Sequence, residues 1–427
     1  RCTGRQARLL GLNWVLGPVC DVNNNPANPV INVRAWGETP DVVGALAAAF
    51  VRGCQAEGVL ACAKHFPGHG DTSSASHLEL PRLPHSRARL EAVELPPFRA
   101  AIAAGVAAVM TAHLQLPVLD PERPATLSAA VLSQLLRHDL GFGGLVVTDA
   151  LVMEAISAHH GPAEAAVLAF EAGADLILMP ADAEAAIEGL LEAVQSGRIS
   201  RARLAASLER RKRALAAAHQ PLTADPLDDL EQLVSADEQQ LCRELLDLSL
   251  QMGGDGGGEG QIWATQTRRP LPTGPGVNLI RLDSQLNSPQ LPAMAPGLLR
   301  PAAAGYLATV LDGRSPSPWS GDPAAPLALD RLGPGPVLLQ LFVRGNPFRG
   351  SAGGEEPWPA VLTQLLAAGR LAGLAVYGSP YLWDQLQPLL PTGLPAGYSP
   401  GQMPQAQAVL LERMGLAAAA LEGGFTD

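Results

Sequence analysis

The sequence predicts an α/β protein: a (β/α)8 TIM-type barrel, N-terminally incomplete, followed by a smaller α/β sandwich domain. From residue 13 to about 180 one unit recurs, a short apolar run, a loop with polar or Gly residues, then an Ala/Leu-rich helical stretch. The apolar runs have no polar face, as expected of parallel strands buried on both sides. At 427 residues the chain is longer than one core sustains, since single cores rarely grow past about 250 to 300 residues.

In chain order, the strands are predicted at Asn13 to Val19, Val59 to Lys64, Val106 to His113, Leu145 to Asp149 and Ala174 to Met179. Helices are predicted between and after them at Pro40 to Glu57, Arg87 to Ala104, Ser128 to His138, Ala163 to Ala172 and Ala183 to Ser196. Gly58, Gly105, Gly141, Gly173 and Gly197 each follow a helical stretch, where a left-handed cap favours Gly. Five strands are fewer than the eight of a closed barrel, so the early strands are expected to lie upstream of Arg1, which itself opens as if in mid-helix. The barrel portion is assigned to residues 1–219 and an interdomain linker rich in Pro and Asp to residues 220–235. The second domain, residues 236–427, should open with a helix from Ala236 to Met252 and a flexible Gly253 to Gly260 loop. Its strands are predicted at Val277 to Leu282, Val337 to Val343 and Leu374 to Tyr377, with no catalytic constellation among them.

Composition narrows the function. A formal net charge of -11 argues against a nucleic-acid or anionic-membrane partner, because such binding is driven by clustered Lys and Arg. The longest apolar run, Ala100 to Met110, is shorter than the roughly 18 residues a membrane-spanning helix needs. Cys2, Cys20, Cys54, Cys62 and Cys242 are odd in number and scattered, without the close pairs of a zinc site or disulfide framework, and read as reduced thiols of a cytoplasmic protein. No metal and no cofactor is expected.

Parallel barrels carry catalytic residues at the C-terminal ends of their strands. Asp149 follows Gly144-Leu145-Val146-Val147-Thr148, so a carboxylate emerges from a buried strand. Two readings fit it equally: a nucleophile that forms a covalent glycosyl-enzyme, or an N-cap for the helix that starts near Leu151. In Lys64-His65-Phe66-Pro67-Gly68-His69-Gly70 the two His stand at i and i+4, but Pro67 and Gly68 forbid the zinc-binding helix such spacing would need. The glycines of this segment lack the spacing of a phosphate loop. Lys64 and His65 fit hydrogen bonding to sugar hydroxyls, against a buried Lys paired with a carboxylate. Asp71 to His77 is a run of small polar residues that should be mobile, and a His on such a rim loop has the pKa for general acid and base work. Taken alone, His77 reads as an exposed loop residue.

It does not stand alone. Asn13-Trp14-Val15-Leu16-Gly17-Pro18-Val19-Cys20-Asp21-Val22, Asn23 to Pro26, Val33-Arg34, Lys64 to Gly70 leading to Ser76-His77, Met110-Thr111-Ala112-His113 and Thr148-Asp149-Ala150-Leu151 together resemble family 3 β-N-acetylglucosaminidases, in order and spacing. The resemblance covers about residues 5 to 215, and the rest only as the variable second domain of many members. It implies a retaining double displacement on N-acetylglucosamine-containing saccharides, cell-wall muropeptides or chitin-type chains. Asp149 would attack C1 and His77 would give and later take the proton. Arg34, Lys64 and His65 match positions that hold the sugar, and His113 and Met153 match neighbours of the pocket. One departure stands out: the family's Asp-Ser-His motif has Ala75 here at the Asp position, so that Asp71 or Glu79 would have to orient His77. A family 3 β-glucosidase and a non-catalytic sugar-binding relative are the alternatives.

Overall fold

The structure is a computed structural model and describes residues 1–72, 79–218, 233–253, 271–282, 291–311, 319–344 and 356–416. His77 and Ala75, the linker up to residue 232 and the Gly-rich loop beyond Gly253 lie outside the described residues. The chain divides at Ser235/Ala236 into two compact units.

The first unit is built on four parallel strands in sequence order, β1 (Trp14–Val15), β2 (Leu60–Phe66), β3 (Ala108–Thr111) and β4 (Leu145–Val147). Each is followed by a helix, so every return crosses one face of the sheet as a parallel connection requires. Alternation along the strands separates two apolar faces. Ala61, Ala63, Val109 and Val146 pack outward on Ala47 and Val51 of helix Pro40–Gln55 and on Phe98 of helix Pro96–Ala103. Cys62, Ala108, Met110, Leu145 and Val147 form the other face. Gly58 and Gly105, with φ of 75° and 81°, end helices just before β2 and β3, turning the chain in a conformation a Cβ would strain.

Four predicted strands are thus present, β1, β3 and β4 shorter than expected and β2 running on to Phe66, and the fifth is a correction. Ala174 to Met179 contributes only one parallel bridge, Val147 to Leu176. Among the described residues the sheet does not close into a barrel. Two helices are also less regular than predicted. Arg87 to Ala104 is interrupted by an i→i+5 turn over Leu90–Glu94 before Pro96, and Ala130–Asp139 is wound with i→i+5 bonds throughout. The last helix, Arg201–Ala218, is held at the N-terminal end of the strands by a buried ion cluster: Asp175 meets Arg137 at 2.6 Å, Arg210 at 3.0 Å and Arg203 at 3.5 Å, and accepts from the Ser207 hydroxyl at 2.8 Å.

The second unit is an α/β sandwich around a six-stranded sheet of order β5-β10-β9-β8-β6-β7. These are β5 (Gln251–Gly253), β6 (Gly276–Leu282), β7 (Tyr306–Leu311), β8 (Val337–Val343), β9 (Leu371–Gly378) and β10 (Ala396–Ser399). All neighbours are parallel except β5 with β10. One face, with Leu339, Leu341, Leu374 and Val376, packs on Trp358, Leu362, Leu365 and Trp383. The other, with Leu338, Phe342, Ala375 and Tyr377, packs on Leu246, Val409 and Leu410. The helix expected from Ala236 to Met252 ends at Ser249, because Gln251–Gly253 extends and pairs with β10. The strands β7 and β10 were not predicted; Ala308 and Thr309 interrupt the apolar run of β7, and β10 is only Ala-Gly-Tyr-Ser.

Candidate active site

The carboxyl ends of β2, β3 and β4 bring the predicted residues to one rim. Lys64 and His65 are the fifth and sixth residues of β2. By alternation Lys64 shares the face of Cys62, and Asp149, two beyond Val147, shares the face of Met110 and Val147. The electrostatics agree with this placement, since the charges of Lys64 and Asp149 act on each other. Burial lowers the Lys64 pKa and so does neighbouring Arg34, while Asp149 and Asp21 work to raise it.

Asp149 is half-buried. Burial alone would push its carboxyl up, but the neighbouring His65 and His113 and the backbone N–H of Ala150, which donates to Oδ1 at 2.8 Å, hold it below the usual Asp value. The group is therefore ionised at neutral pH. The capping reading of the sequence has limited room here: Oδ1 takes the N–H of the very next residue, and the helix Glu154–Ser157 is capped from Met153 with no side-chain bond.

The backbone under Asp149 is fixed from β3. Its own N–H faces Thr111 Oγ1 at 3.4 Å, and Thr111 and Thr126 hydroxyls lie 2.8 Å apart. His113, fully buried, contacts Thr126 Oγ1 through Nδ1 at 2.8 Å and, through Nε2, donates to the Ala150 carbonyl at 3.0 Å. His113 thus braces the turn that carries Asp149. Met153 is buried, and its N–H closes the same turn on the Ala150 carbonyl at 3.1 Å. Arg34 sits at the rim, its Nη1 donating to the Val30 carbonyl at 2.9 Å and its Nη2 lying 3.4 Å from His65 Nε2.

Three residues not predicted as site residues complete the wall. Asp21, fully buried, accepts from the backbone N–H of His69 at 2.7 Å and contacts His65 Nδ1 at 2.8 Å. Asn28 donates to the carbonyls of His69 and Gly70, both at 2.8 Å, tying the Asn23 to Arg34 loop to the turn after β2. His69 pairs through Nδ1 with Thr72 Oγ1 at 2.7 Å, and burial lowers its pKa to about 4, so its ring is neutral. The sequence did carry a signal for Asp21, a carboxylate set between Pro18-Val19-Cys20 and Val22, where it is expensive unless bonded. The glycines serve packing: a Cβ on Gly70 would stand 1.8 Å from the Val22 carbonyl oxygen. Among the described residues no group of His, Cys, Asp and Glu is arranged to hold a metal ion.

A parallel α/β unit with its carboxylate at the end of the fourth strand is one half of a two-domain match. Residues 1–214, half of the chain, match the Glycosyl hydrolase family 3 N terminal domain. The chain belongs to glycoside hydrolase family 3. Residues 272–415 match the Bacterial Glycosyl hydrolase family 3 C-terminal domain. The chain is 42% identical over 228 residues to beta-hexosaminidase A of Pseudoalteromonas piscicida, covering 48% of this chain and 38% of that protein. A beta-hexosaminidase of Neisseria meningitidis is 41% identical over 169 residues, 40% of this chain and 46% of the relative. The chain thus spans less than half the length of these curated relatives. Among solved structures, a family 3 beta-N-acetylglucosaminidase from Paenibacillus superposes with a TM-score of 0.76 at 33% identity, covering 97% of this chain and 76% of that one. A beta-glucoside phosphorylase superposes with a TM-score of 0.77 at 21% identity, a likeness of fold alone. As a family 3 member, the chain has its predicted residues Lys64, His65 and Asp149 at the carboxyl ends of neighbouring strands, with Arg34 beside His65 from the loop after β1, while no described helix is long and apolar enough to cross a membrane.

Proposed function

We propose that this chain is the catalytic portion of a retaining exo-β-N-acetylglucosaminidase, with Asp149 as nucleophile and His77 as acid and base. The single observation that carries the reading is Asp149: an ionised carboxylate at the end of β4, braced from behind by Thr111 and His113 and electrostatically coupled to Lys64 and His65. An anion in that position is suited to attack on C1, forming a glycosyl ester as the leaving oxygen takes the proton of His77. Water then attacks the same carbon while His77 recovers a proton, giving net retention. Arg34, Lys64 and His65 would hold the sugar hydroxyls and acetamido group. The similarity to proteins named beta-hexosaminidase supports N-acetylglucosamine as the sugar, from muropeptide or chitin-type saccharides. Five unpaired cysteines suit a reducing compartment, the cytoplasm.

The test is release of the aryl group from an aryl β-N-acetylglucosaminide, with the matching glucoside as comparison. Asp149→Ala should lower kcat at least about 10³-fold, the scale on which loss of a covalent nucleophile registers. Turnover of the glucoside but not the N-acetylglucosaminide would instead favour a β-glucosidase, and full activity of the variant would remove Asp149 from the mechanism.

A further inference from the structure

Behind the rim lies a carboxylate that the proposed reaction leaves unassigned. Asp21 is fully buried. Its Oδ1 accepts from the His69 backbone N–H at 2.7 Å, its Oδ2 faces His65 Nδ1 at 2.8 Å, and both oxygens lie 3.2–3.3 Å from the His65 backbone N–H. An ionised carboxylate only accepts, so Nδ1 must carry a proton. The other ring nitrogen, Nε2, lies 3.4 Å from Nη2 of Arg34, a guanidinium nitrogen that only donates. Between a pure acceptor and a pure donor a neutral imidazole fits in one tautomer, with the proton on Nδ1 and a bare Nε2. The ring has little freedom to escape this choice, because His65 is buried and His69 stands edge-on to it with centroids 6.3 Å apart.

We propose that Asp21 is a positioning residue that locks His65 in its Nδ1–H tautomer, so that Nε2 meets the substrate as a hydrogen-bond acceptor. His65 would then take a hydrogen bond from a sugar hydroxyl in place of the Arg34 contact, while the donors at that hydroxyl's oxygen come from Arg34, turned from the ring, and Lys64. The tautomer follows from the geometry alone; its use on a sugar rests on the reading of His65 given under the proposed function.

Asp21→Asn separates charge and tautomer from space filling. The amide keeps one oxygen for the His69 N–H but turns an N–H₂ toward His65, and the ring can answer only by moving its proton to Nε2, where it confronts Arg34. A related replacement in a serine protease triad leaves the geometry intact and spoils the tautomer. The decisive measurement is long-range ¹H–¹⁵N NMR of the His65 ring in the full chain at neutral pH. Wild type should show a protonated Nδ1 and a bare Nε2, and Asp21→Asn the reverse. A wild-type ring protonated on Nε2, or a ring unchanged in the variant, overturns the proposal, and the wild-type spectrum decides even if the variant fails to fold. The Kd for N-acetylglucosamine, by calorimetry, is the second arm. Asp21→Asn should weaken it about tenfold, and should add nothing in a His65→Ala background. A further loss there would mean that Asp21 serves as scaffold only. If His65→Ala leaves Kd unchanged, the sugar-binding reading of His65 fails while the tautomer assignment is still decided by the spectra.

Discussion

Asp21 and Asp149 sit in apolar surroundings and yet both carboxyls are held below the usual Asp value, for the same reason. Burial raises each, and the neighbouring histidines and backbone N–H bonds more than offset it. The two differ in what they leave free: Asp21 spends its oxygens on His65 and His69, whereas among the described residues the Asp149 carboxylate accepts one hydrogen bond, from its neighbour's N–H. At the same scale, Ala75 is the residue that sets activity against the family pattern. Asp71, a candidate to replace its missing carboxylate, is already engaged: its Oδ2 lies 3.0 Å from His85 Nε2, without hydrogen-bond alignment, and 3.4 Å from Arg89 Nη2. Glu79 is exposed. Ala75→Asp should therefore raise kcat on an aryl β-N-acetylglucosaminide at least about tenfold, against the roughly 10⁴ that an imidazole's carboxylate partner is worth in a protease triad. An unchanged kcat would show that His77 needs no carboxylate here.

Among elements, the helix Arg201–Ala218 depends little on apolar packing. Few of its residues are buried, and Asp175 gathers three guanidiniums and Ser207 around one carboxylate with 0% side-chain exposure. Such a cluster is weak evidence of net stabilisation, but breaking it is costly, because the arginines would keep their burial and lose their counter-charge. Asp175→Asn should lower the unfolding free energy of the first unit by about 3–5 kcal/mol in urea titrations. Asp182, whose Oδ1 caps the helix Ala183–Gln195 by accepting the Ala185 N–H at 3.0 Å, lies near the surface, and Asp182→Ala should cost only about 1 kcal/mol. Equal losses would mean that the buried cluster holds nothing the cap does not.

Over the whole molecule, the two units differ in what they bury. The second holds an uncharged network, in which Gln340 donates to Asn278 Oδ1 and to the Gly297 carbonyl, both at 2.7 Å, and Gln407 accepts the Gly297 N–H at 2.9 Å. The first buries His69, whose pKa falls from 6.5 to about 4 because burial disfavours the charged ring. A depressed His binds its proton more readily unfolded than folded, so its contribution is complete above pH 6.5 and is lost as pH falls towards 4. Between pH 7 and 5 that loss comes to about 2 kcal/mol. His69→Gln, which can still reach Thr72, should remove it, so that wild type loses about 2 kcal/mol more than the variant over this range in urea unfolding. Parallel slopes for the two proteins would show that His69 is free to protonate in the folded state.

The sequence by itself determined the βα order of the first unit, the positions of β2, β3 and β4, the glycine helix ends and the rim residues Lys64, His65 and Asp149. These are local properties: an apolar run, a left-handed turn and a carboxylate at a strand end are written in neighbouring residues. It placed a full strand at Ala174 to Met179 and carried a helix through to Met252, where pairing with distant chain decides: one bridge to Val147 in the first case, a ladder with β10 in the second. Only the tertiary structure showed that Asp21, 44 residues before His65, lies against its ring. It also put the imidazole of His113 under the carbonyl of Ala150. The proton on a ring nitrogen is fixed by what sits across from it in space, and no spacing along the chain records that.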